Sequence, residues 1–121
     1  MASVLIVTSV GSVVVDLFTD TCPLACDNFL KLCKLKYYNN CLIYSIQKDY
    51  ILQTGDPSGT GNGGNSLWGL LSGSGGQVLP FRDETVGTGL KMDRAGLLCM
   101  ANSGREDSNL SQFFFTLRAS D

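Results

Sequence analysis

The chain has 121 residues, 44% of them hydrophobic, and its 9 Lys and Arg against 11 Asp and Glu give a net charge of −2. This length fits one globular domain, and the scattered positive charges exclude a basic surface for nucleic acid. The sequence contains no His, which excludes Ser-His-Asp and Cys-His catalysis and histidine-bearing zinc sites. We therefore expect no direct nucleic-acid binding, no metal and no cofactor.

The cysteines indicate the compartment. There are five of them, an odd number, and the chain starts without the charged and apolar regions of a signal peptide. We therefore expect an intracellular protein, cytoplasmic or nuclear, with reduced thiols. No apolar run approaches the roughly 20 residues that span a bilayer, so we expect no membrane contact. The helical spacing of Cys22, Cys26 and Cys33 favours buried apolar side chains over a metal or redox site.

The amino-terminal part predicts a hairpin and then a helix. Ser3 to Phe18 contains two β-branched runs broken at Val10-Gly11-Ser12, which is typical of a β-hairpin. Pro23 follows polar start signals, and apolar residues from Cys26 to Cys33 repeat with the period of a helix. We predict one amphipathic helix that runs to about Lys36.

Short strands should follow the helix. Tyr37 to Asn40 predicts a turn, and the residues Cys41 to Tyr44 and Tyr50 to Gln53 favour strands on either side of a polar corner, Ser45 to Asp49. These elements extend the predicted β structure beyond the hairpin.

The second half of the chain is rich in loops. Between Gly55 and Gly104 the chain holds 13 of its 14 glycines, together with enough apolar residues to favour ordered loops over a linker. Gly96 to Ala101 and Gln112 to Thr116 predict two buried strands. The predicted fold class is therefore mostly β with one helix. Because a strong strand stands so close to Asp121, we expect the domain to be incomplete at this end.

Three further patterns have simpler interpretations. Gly59, Gly61 and Gly64 match G-x-G-x-x-G, but no strand leads into them and no helix pattern follows, so we interpret them as structural glycines with positive φ rather than a nucleotide site. The pairs Asp83-Glu84 and Glu106-Asp107 could supply acid and base groups, although solvated surface is the simpler interpretation. The sequence Asn109-Leu110-Ser111 matches the glycosylation sequon, which we attribute to chance.

Amide side chains stand among apolar residues in three segments, at Gln53, Asn102 and Gln112. Such amides can simply satisfy backbone groups in loops. Taken together with other motifs, however, they make essentially the whole chain resemble the cyclophilin-type peptidyl-prolyl cis-trans isomerases. The segment from Gln53 to Gly61 looks most like the short, nuclear, spliceosome-associated members. The motifs that carry the resemblance are Asn28-Phe29, Gln53-Thr54-Gly55-Asp56, Phe81-Arg82-Asp83-Glu84, Met100-Ala101-Asn102 and Ser111-Gln112-Phe113-Phe114.

The resemblance implies a closed eight-stranded antiparallel β-barrel with a helix at each end, of which the last strands and the second helix are missing here. It also implies a groove that binds proline-containing peptides or proteins and, weakly, cyclosporin-type ligands. Gln53 would hydrogen-bond the substrate backbone. The positions it assigns to catalysis are Ser45, Tyr50, Gln53 and Phe114, and those it assigns to substrate binding are Ile43, Ile51, Ala101, Asn102 and Gln112.

One position departs from the family pattern. Ser45 stands where the family has the Arg that donates to the twisted amide, and a hydroxyl cannot reproduce a guanidinium fork. The resemblance therefore implies a peptidyl-prolyl isomerase that assists protein folding, with weak activity. The alternative is a noncatalytic module that binds proline peptides in a nuclear, spliceosomal complex.

Overall fold

A computed structural model of the chain describes residues 2–71, 78–84, 95–101 and 107–118. The first two strands, β1 (Ala2–Thr8) and β2 (Gly11–Leu17), form an antiparallel hairpin with Ala2 opposite Leu17 and Thr8 opposite Gly11. The predicted hairpin is confirmed, with its turn one residue earlier, at Ser9 and Val10.

Helix α1 (Pro23–Lys34) begins with Pro in its first turn, as predicted, and ends two residues before the predicted end. Lys36, in the turn that follows, has a positive φ of 61°. The Cys22 side chain does not cap the helix. Instead, the Glu84 carboxylate accepts hydrogen bonds from the Leu24 and Ala25 amides at 2.9 and 2.7 Å. A carboxylate there satisfies free amides and complements the helix dipole.

The acidic pair Asp83-Glu84 is therefore structural, and its interpretation as solvated surface is wrong. Both residues are half-buried, and the Asp83 carboxylate accepts from Asn109 Nδ2 at 2.7 Å. Asn109 is itself buried and also donates to the Phe81 carbonyl at 3.1 Å. These bonds occupy the sequon asparagine, which agrees with its interpretation as a chance match. Glu106 lies outside the described residues.

The strand predicted at Cys41 to Tyr44 is wrong, and so is the corner predicted at Ser45 to Asp49. The strands are β3 (Ser45–Gln47) and β4 (Ile51–Thr54), and the turn between them contains Asp49 with φ of 58°. The pairing of β3 with β4 ends at Ser45 opposite Gln53, and β4 itself ends at Thr54, just before Gly55 with its φ of 98°. The preceding segment is held by a side chain instead: Thr54 Oγ1 donates to the Leu42 carbonyl at 2.7 Å.

Strands β5 (Leu98–Met100) and β6 (Phe113–Thr116) lie within the predicted segments and complete an antiparallel sheet in the order β3-β4-β6-β5. Within the described residues this sheet and the hairpin remain two separate sheets. A one-turn helix, α2 (Leu67–Leu70), which we did not predict, begins where the Ser66 hydroxyl accepts from the Gly69 amide at 3.1 Å. Of the glycine-rich half, residues 72–77, 85–94 and 102–106 lie outside the described part.

The core joins the hairpin, α1 and the four-stranded sheet. The ring of Phe113 packs edge-on against Phe29 and Tyr38, with centroids 5.1 and 5.2 Å apart. Val15 and Leu17 of the hairpin belong to the same buried cluster. Because side chains alternate along a strand, Phe113 and Phe115 face this core while Phe114 points to the opposite face.

The five cysteines are free. Cys26 is buried, as predicted, whereas the other four are half-buried. Burial raises the pKa of the Cys26 and Cys33 thiols to about 11, helped at Cys26 by nearby Cys22 and Glu84. Both thiols are therefore protonated and unreactive at neutral pH.

Among the residues that the structure describes, no helix is long and apolar enough to cross a bilayer. The same residues contain no group of three or more His, Cys, Asp or Glu side chains that could hold a metal ion.

The backbone just after β4 passes close to the backbone just before β6, which predicts the effect of adding a methyl group at Gly55. A Cβ atom at Gly55 would lie 2.7 Å from the Ser111 carbonyl oxygen and 2.9 Å from the Gln112 Cα. Gly96 has a similar φ of 88°, but a Cβ added there would meet no atom of the described residues within 4 Å. We expect Gly96→Ala to cost about 1–2 kcal/mol from φ strain alone, and Gly55→Ala roughly 3 kcal/mol or more. Urea denaturation measures both, and equal costs would contradict the close approach.

Candidate functional site

Residues from four strands form a row across the larger sheet. Ser45 pairs with Gln53, Gln53 pairs with Phe114, and Phe114 pairs with Cys99. Directly opposite residues of antiparallel strands share a face, so these four side chains, which we call the central row, lie on the face that points away from the Phe113 core. All four are half-buried. Three of the four predicted catalytic residues, Ser45, Gln53 and Phe114, are therefore brought together.

The other predicted residues surround this row to different degrees. Ile51 lies on the same face of β4, two residues from Gln53. The Ala101 amide donates to the Gln112 carbonyl at 2.9 Å, next to Phe113. Ile43, in the segment before β3, is 39% exposed. Asn102 lies outside the described residues.

Tyr50 lies at the end of the β3–β4 turn and is 40% exposed. The guanidinium carbon of Arg118 stands 5.3 Å from the centroid of its ring, a cation–π contact. Arg118 is an exposed residue just after β6, so a positive charge lies at this end of the site. The sequence reasoning missed Arg118, because its contact with Tyr50 depends on the pairing of β4 with β6.

A hydrogen-bonded network links three side chains beside the central row. Gln53 Nε2 donates to Tyr44 Oη at 2.8 Å and to Gln112 Oε1 at 3.2 Å. The Tyr44 hydroxyl donates to Gln112 Oε1. The sequence reasoning missed Tyr44 as a site residue, and the available signal was its place directly before Ser45.

The Tyr44 hydroxyl remains protonated at neutral pH. Burial raises the pKa of Tyr44 above its ordinary value; the hydrogen bond from Gln53 opposes this effect, and the Asp56 charge adds to it. The phenol therefore keeps the proton that it donates to Gln112.

The Gln112 side chain also holds the neighbouring loop. Its Nε2 atom donates to the carbonyl of Gly61 at 3.1 Å and to that of Gly63 at 2.8 Å. We call residues 56–64 the Asp56 loop. These two bonds connect the site network to a loop that follows β4 by only a few residues.

The Asp56 carboxylate lies at the centre of this loop and is fully buried. One oxygen accepts from the Ser58 amide and hydroxyl at 2.9 and 2.7 Å. The other accepts from the amides of Gly61 and Gly63 at 2.8 and 3.0 Å. Burial by itself raises the pKa of Asp56, but these donors outweigh it and lower the pKa to about 2.

The interpretation of the G-x-G-x-x-G match as structural is confirmed. Gly59, Gly61 and Gly64 have φ values of 71°, 87° and 109°. The loop amides that a phosphate would need already donate to Asp56, so an internal carboxylate takes the place of an external anion.

Helix α1 fixes the segment that leads into β6. The buried Asn28 side chain donates to the Leu110 carbonyl at 2.9 Å and accepts from the Leu67 amide at 2.7 Å. Tyr38 Oη donates to the Ser111 carbonyl at 2.8 Å. These bonds place Gln112 and Phe114 relative to the helix, which explains why Asn28-Phe29 accompanies the strand motifs.

The site therefore offers an aromatic ring, apolar side chains and an oriented amide. None of the side chains in the central row carries a charge. Such a surface suits a peptide with an apolar ring and does not suit acid–base or nucleophilic chemistry.

Comparison with known proteins identifies the family. Residues 3–121 match the family model described as cyclophilin type peptidyl-prolyl cis-trans isomerase/CLD. The chain belongs to the cyclophilin family. The family resemblance and the mostly β fold class are thereby confirmed.

Relatives of this cyclophilin chain carry matching names. It is 55% identical over 116 residues to peptidyl-prolyl cis-trans isomerase CYP59 of Arabidopsis thaliana, covering 96% of this chain and 22% of that protein. It is 50% identical over 114 residues to peptidyl-prolyl cis-trans isomerase-like 4 of Homo sapiens, with 94% and 22% covered. The chain thus spans about a fifth of the length of these relatives.

A solved structure shares the fold. The cyclophilin type peptidyl-prolyl cis-trans isomerase of Cryptosporidium parvum, crystallised in the presence of the dipeptide Ala-Pro, superposes with a TM-score of 0.86 at 39% identity. The match covers 98% of this cyclophilin chain and 70% of that chain.

The Asp56 carboxylate predicts a dependence of stability on pH. Its folded pKa of about 2 lies below the ordinary 3.8, so the unfolded chain takes up the proton first. We expect this contribution to be complete well above pH 3.8, at about pH 5, and to be lost progressively as the pH falls through 3.8 towards 2. Asp56→Asn should be less stable at neutral pH and should show a shallower decline over that range.

Urea denaturation between pH 5 and 2 measures this effect. Asp20→Asn, at an exposed aspartate, is the control and should follow the wild type. If the stability of Asp56→Asn fell with decreasing pH as steeply as that of the wild type, the carboxylate would not hold the loop.

Proposed function

We propose that this cyclophilin chain binds proline-containing peptides on the face that carries the central row, and that it isomerises them only slowly. The observation that supports this proposal most directly is that Gln53 and Phe114 stand opposite each other on paired strands. An aromatic ring and an amide side chain thus lie within reach of one peptide. The crystallisation of the Cryptosporidium parvum relative with Ala-Pro supports the same ligand class.

The chemistry of prolyl isomerisation fits a site whose central row carries no charged side chain. Rotation about the amide bond before proline crosses a barrier of about 18–20 kcal/mol, and its spontaneous rate corresponds to tens of seconds or more. A protein lowers this barrier by gripping the ring, fixing the flanking backbone and donating to the amide as its conjugation is lost. In our proposal Phe114, Ile51 and Tyr50 contact the ring, and Gln53 binds the backbone. Gln112 and Ala101 border the neighbouring subsite, with Asn102 and Ile43 as further predicted contacts.

Ser45 limits the rate in this proposal. It occupies the end of the central row beside Gln53, where a cationic donor would reach the amide. A short neutral hydroxyl replaces that donor, and removal of one preorganised donor typically lowers the rate by about 10²–10³. The same observation favours the second candidate function, a noncatalytic module that binds proline peptides. Its place in a nuclear, spliceosomal assembly and weak cyclosporin binding stay predictions.

One pair of measurements separates the two candidates. A short Ala-Pro tetrapeptide should bind in a calorimetric titration, and exchange NMR on the same peptide should detect only slow cis–trans turnover. Binding without measurable turnover would favour the noncatalytic module. Failure of the peptide to bind would refute both candidates.

Substitution of Ser45 tests the missing donor. We expect Ser45→Arg to increase turnover of the tetrapeptide by roughly 10²-fold, with a smaller change in its affinity, because the guanidinium acts mainly in the transition state. Ser12→Arg adds the same charge at an exposed position of the hairpin and should leave the rate unchanged. An unchanged rate in Ser45→Arg would contradict this role.

A further inference from the structure

The orientation of the Gln112 amide is fixed by the Asp56 loop. A glutamine amide has a donating NH₂ end and an accepting oxygen end, and the two can be exchanged by a flip. Here the carbonyls of Gly61 and Gly63 both face one end. Because carbonyls only accept, that end is the NH₂ group, and Gln112 Oε1 must face Tyr44 and Gln53.

Tyr44 transmits this orientation to Gln53. Its hydroxyl donates to Gln112 Oε1, so the oxygen lone pairs of Tyr44 remain to accept from Gln53 Nε2. The Tyr44 ring also lies beside Gly61, where an added Cβ would stand 3.4 Å from Tyr44 Cε2. The loop therefore flanks the Tyr44 ring and holds its hydroxyl through Gln112.

The NH₂ end of Gln53 is thereby turned into the network. Its Nε2 atom lies 2.8 Å from Tyr44 Oη and 3.2 Å from Gln112 Oε1, and because these two acceptors are hydrogen-bonded neighbours, one N–H points at both of them. Among the described residues no donor bonds to Gln53 Oε1. The side chain of Gln53 is half-buried, so this oxygen is the acceptor that it can offer to a ligand.

We propose that Tyr44 is a positioning residue that turns the Gln53 amide so that Oε1 accepts an N–H group from the backbone of the bound peptide. The inference rests on the function proposed above and specifies the ligand further. Proline has no N–H, so the donor belongs to a residue that flanks it. A ligand without that N–H leaves the half-buried oxygen unpaired, which costs binding.

The test compares three forms of one tetrapeptide that contains Ala-Pro: the parent and two analogues, each methylated at one backbone nitrogen that flanks the proline. We expect the wild type to bind one analogue about fivefold or more weakly than the parent, the cost of one lost hydrogen bond. In Tyr44→Phe the Gln53 amide can turn, so the ratio of the dissociation constant of the analogue to that of the parent should fall towards one. Gln53→Ala should abolish the ratio as well.

Tyr37→Phe is the control, because the Tyr37 hydroxyl bonds to Ser111 and to the Asn65 backbone and not to Gln53 or Gln112, and it should keep the wild-type ratio. A Tyr44→Phe protein that binds the parent more weakly but keeps the ratio would show a merely structural role and overturn the inference. Equal wild-type binding of parent and both analogues would also overturn it, while leaving proline-peptide binding intact. Failure of the parent itself to bind would refute the proposed function.

A second measurement needs no peptide. The side-chain NH proton of Gln53 that faces Tyr44 and Gln112 should exchange slowly with water in the wild type, since it is hydrogen-bonded, and at least about fivefold faster in Tyr44→Phe. Equal exchange rates in the two proteins would contradict the role of Tyr44 even if the variant bound peptide differently.

Discussion

The Asp56 carboxylate and the backbone amides that surround it organise the functional half of this molecule. A buried carboxylate is costly unless donors satisfy it, and here Ser58, Gly61 and Gly63 supply them. The loop must therefore close around Asp56, and its glycines adopt conformations that other residues tolerate poorly. Once closed, the loop directs the Gly61 and Gly63 carbonyls at Gln112.

Hydrogen bonds continue from this loop to the surface where a peptide would bind. Gln112 connects the loop to Tyr44 and Gln53, and the pairing of β4 with β6 places Gln53 opposite Phe114. The core supports the same strand from its other face, where Phe113 packs against Phe29. One strand, β6, thus carries a core residue and a site residue side by side, so rigidity of the core and of the site have a common origin.

Much of this arrangement could be predicted from the sequence, because local signals and family motifs agreed. The hairpin followed from β-branched runs, the helix start from Pro23, and the joint placement of Gln53 and Phe114 from the resemblance. The prediction of a strand at Cys41 to Tyr44 failed because strand propensity does not reveal where a partner strand ends, and β4 ends at Thr54. Tyr44, Glu84 and Asp56 act through partners that are distant in sequence or in loops, and periodicity does not report such contacts.

The most direct test of the coupling between loop and site is the side-chain amide NMR spectrum of Asp56→Asn at neutral pH. If the carboxylate orients Gln112 through the loop, the side-chain NH₂ signals of both Gln112 and Gln53 will shift together with the Gly61 and Gly63 backbone amides, while the hairpin signals remain in place. Shifts confined to the loop amides, with both glutamine signals unchanged, would contradict the account.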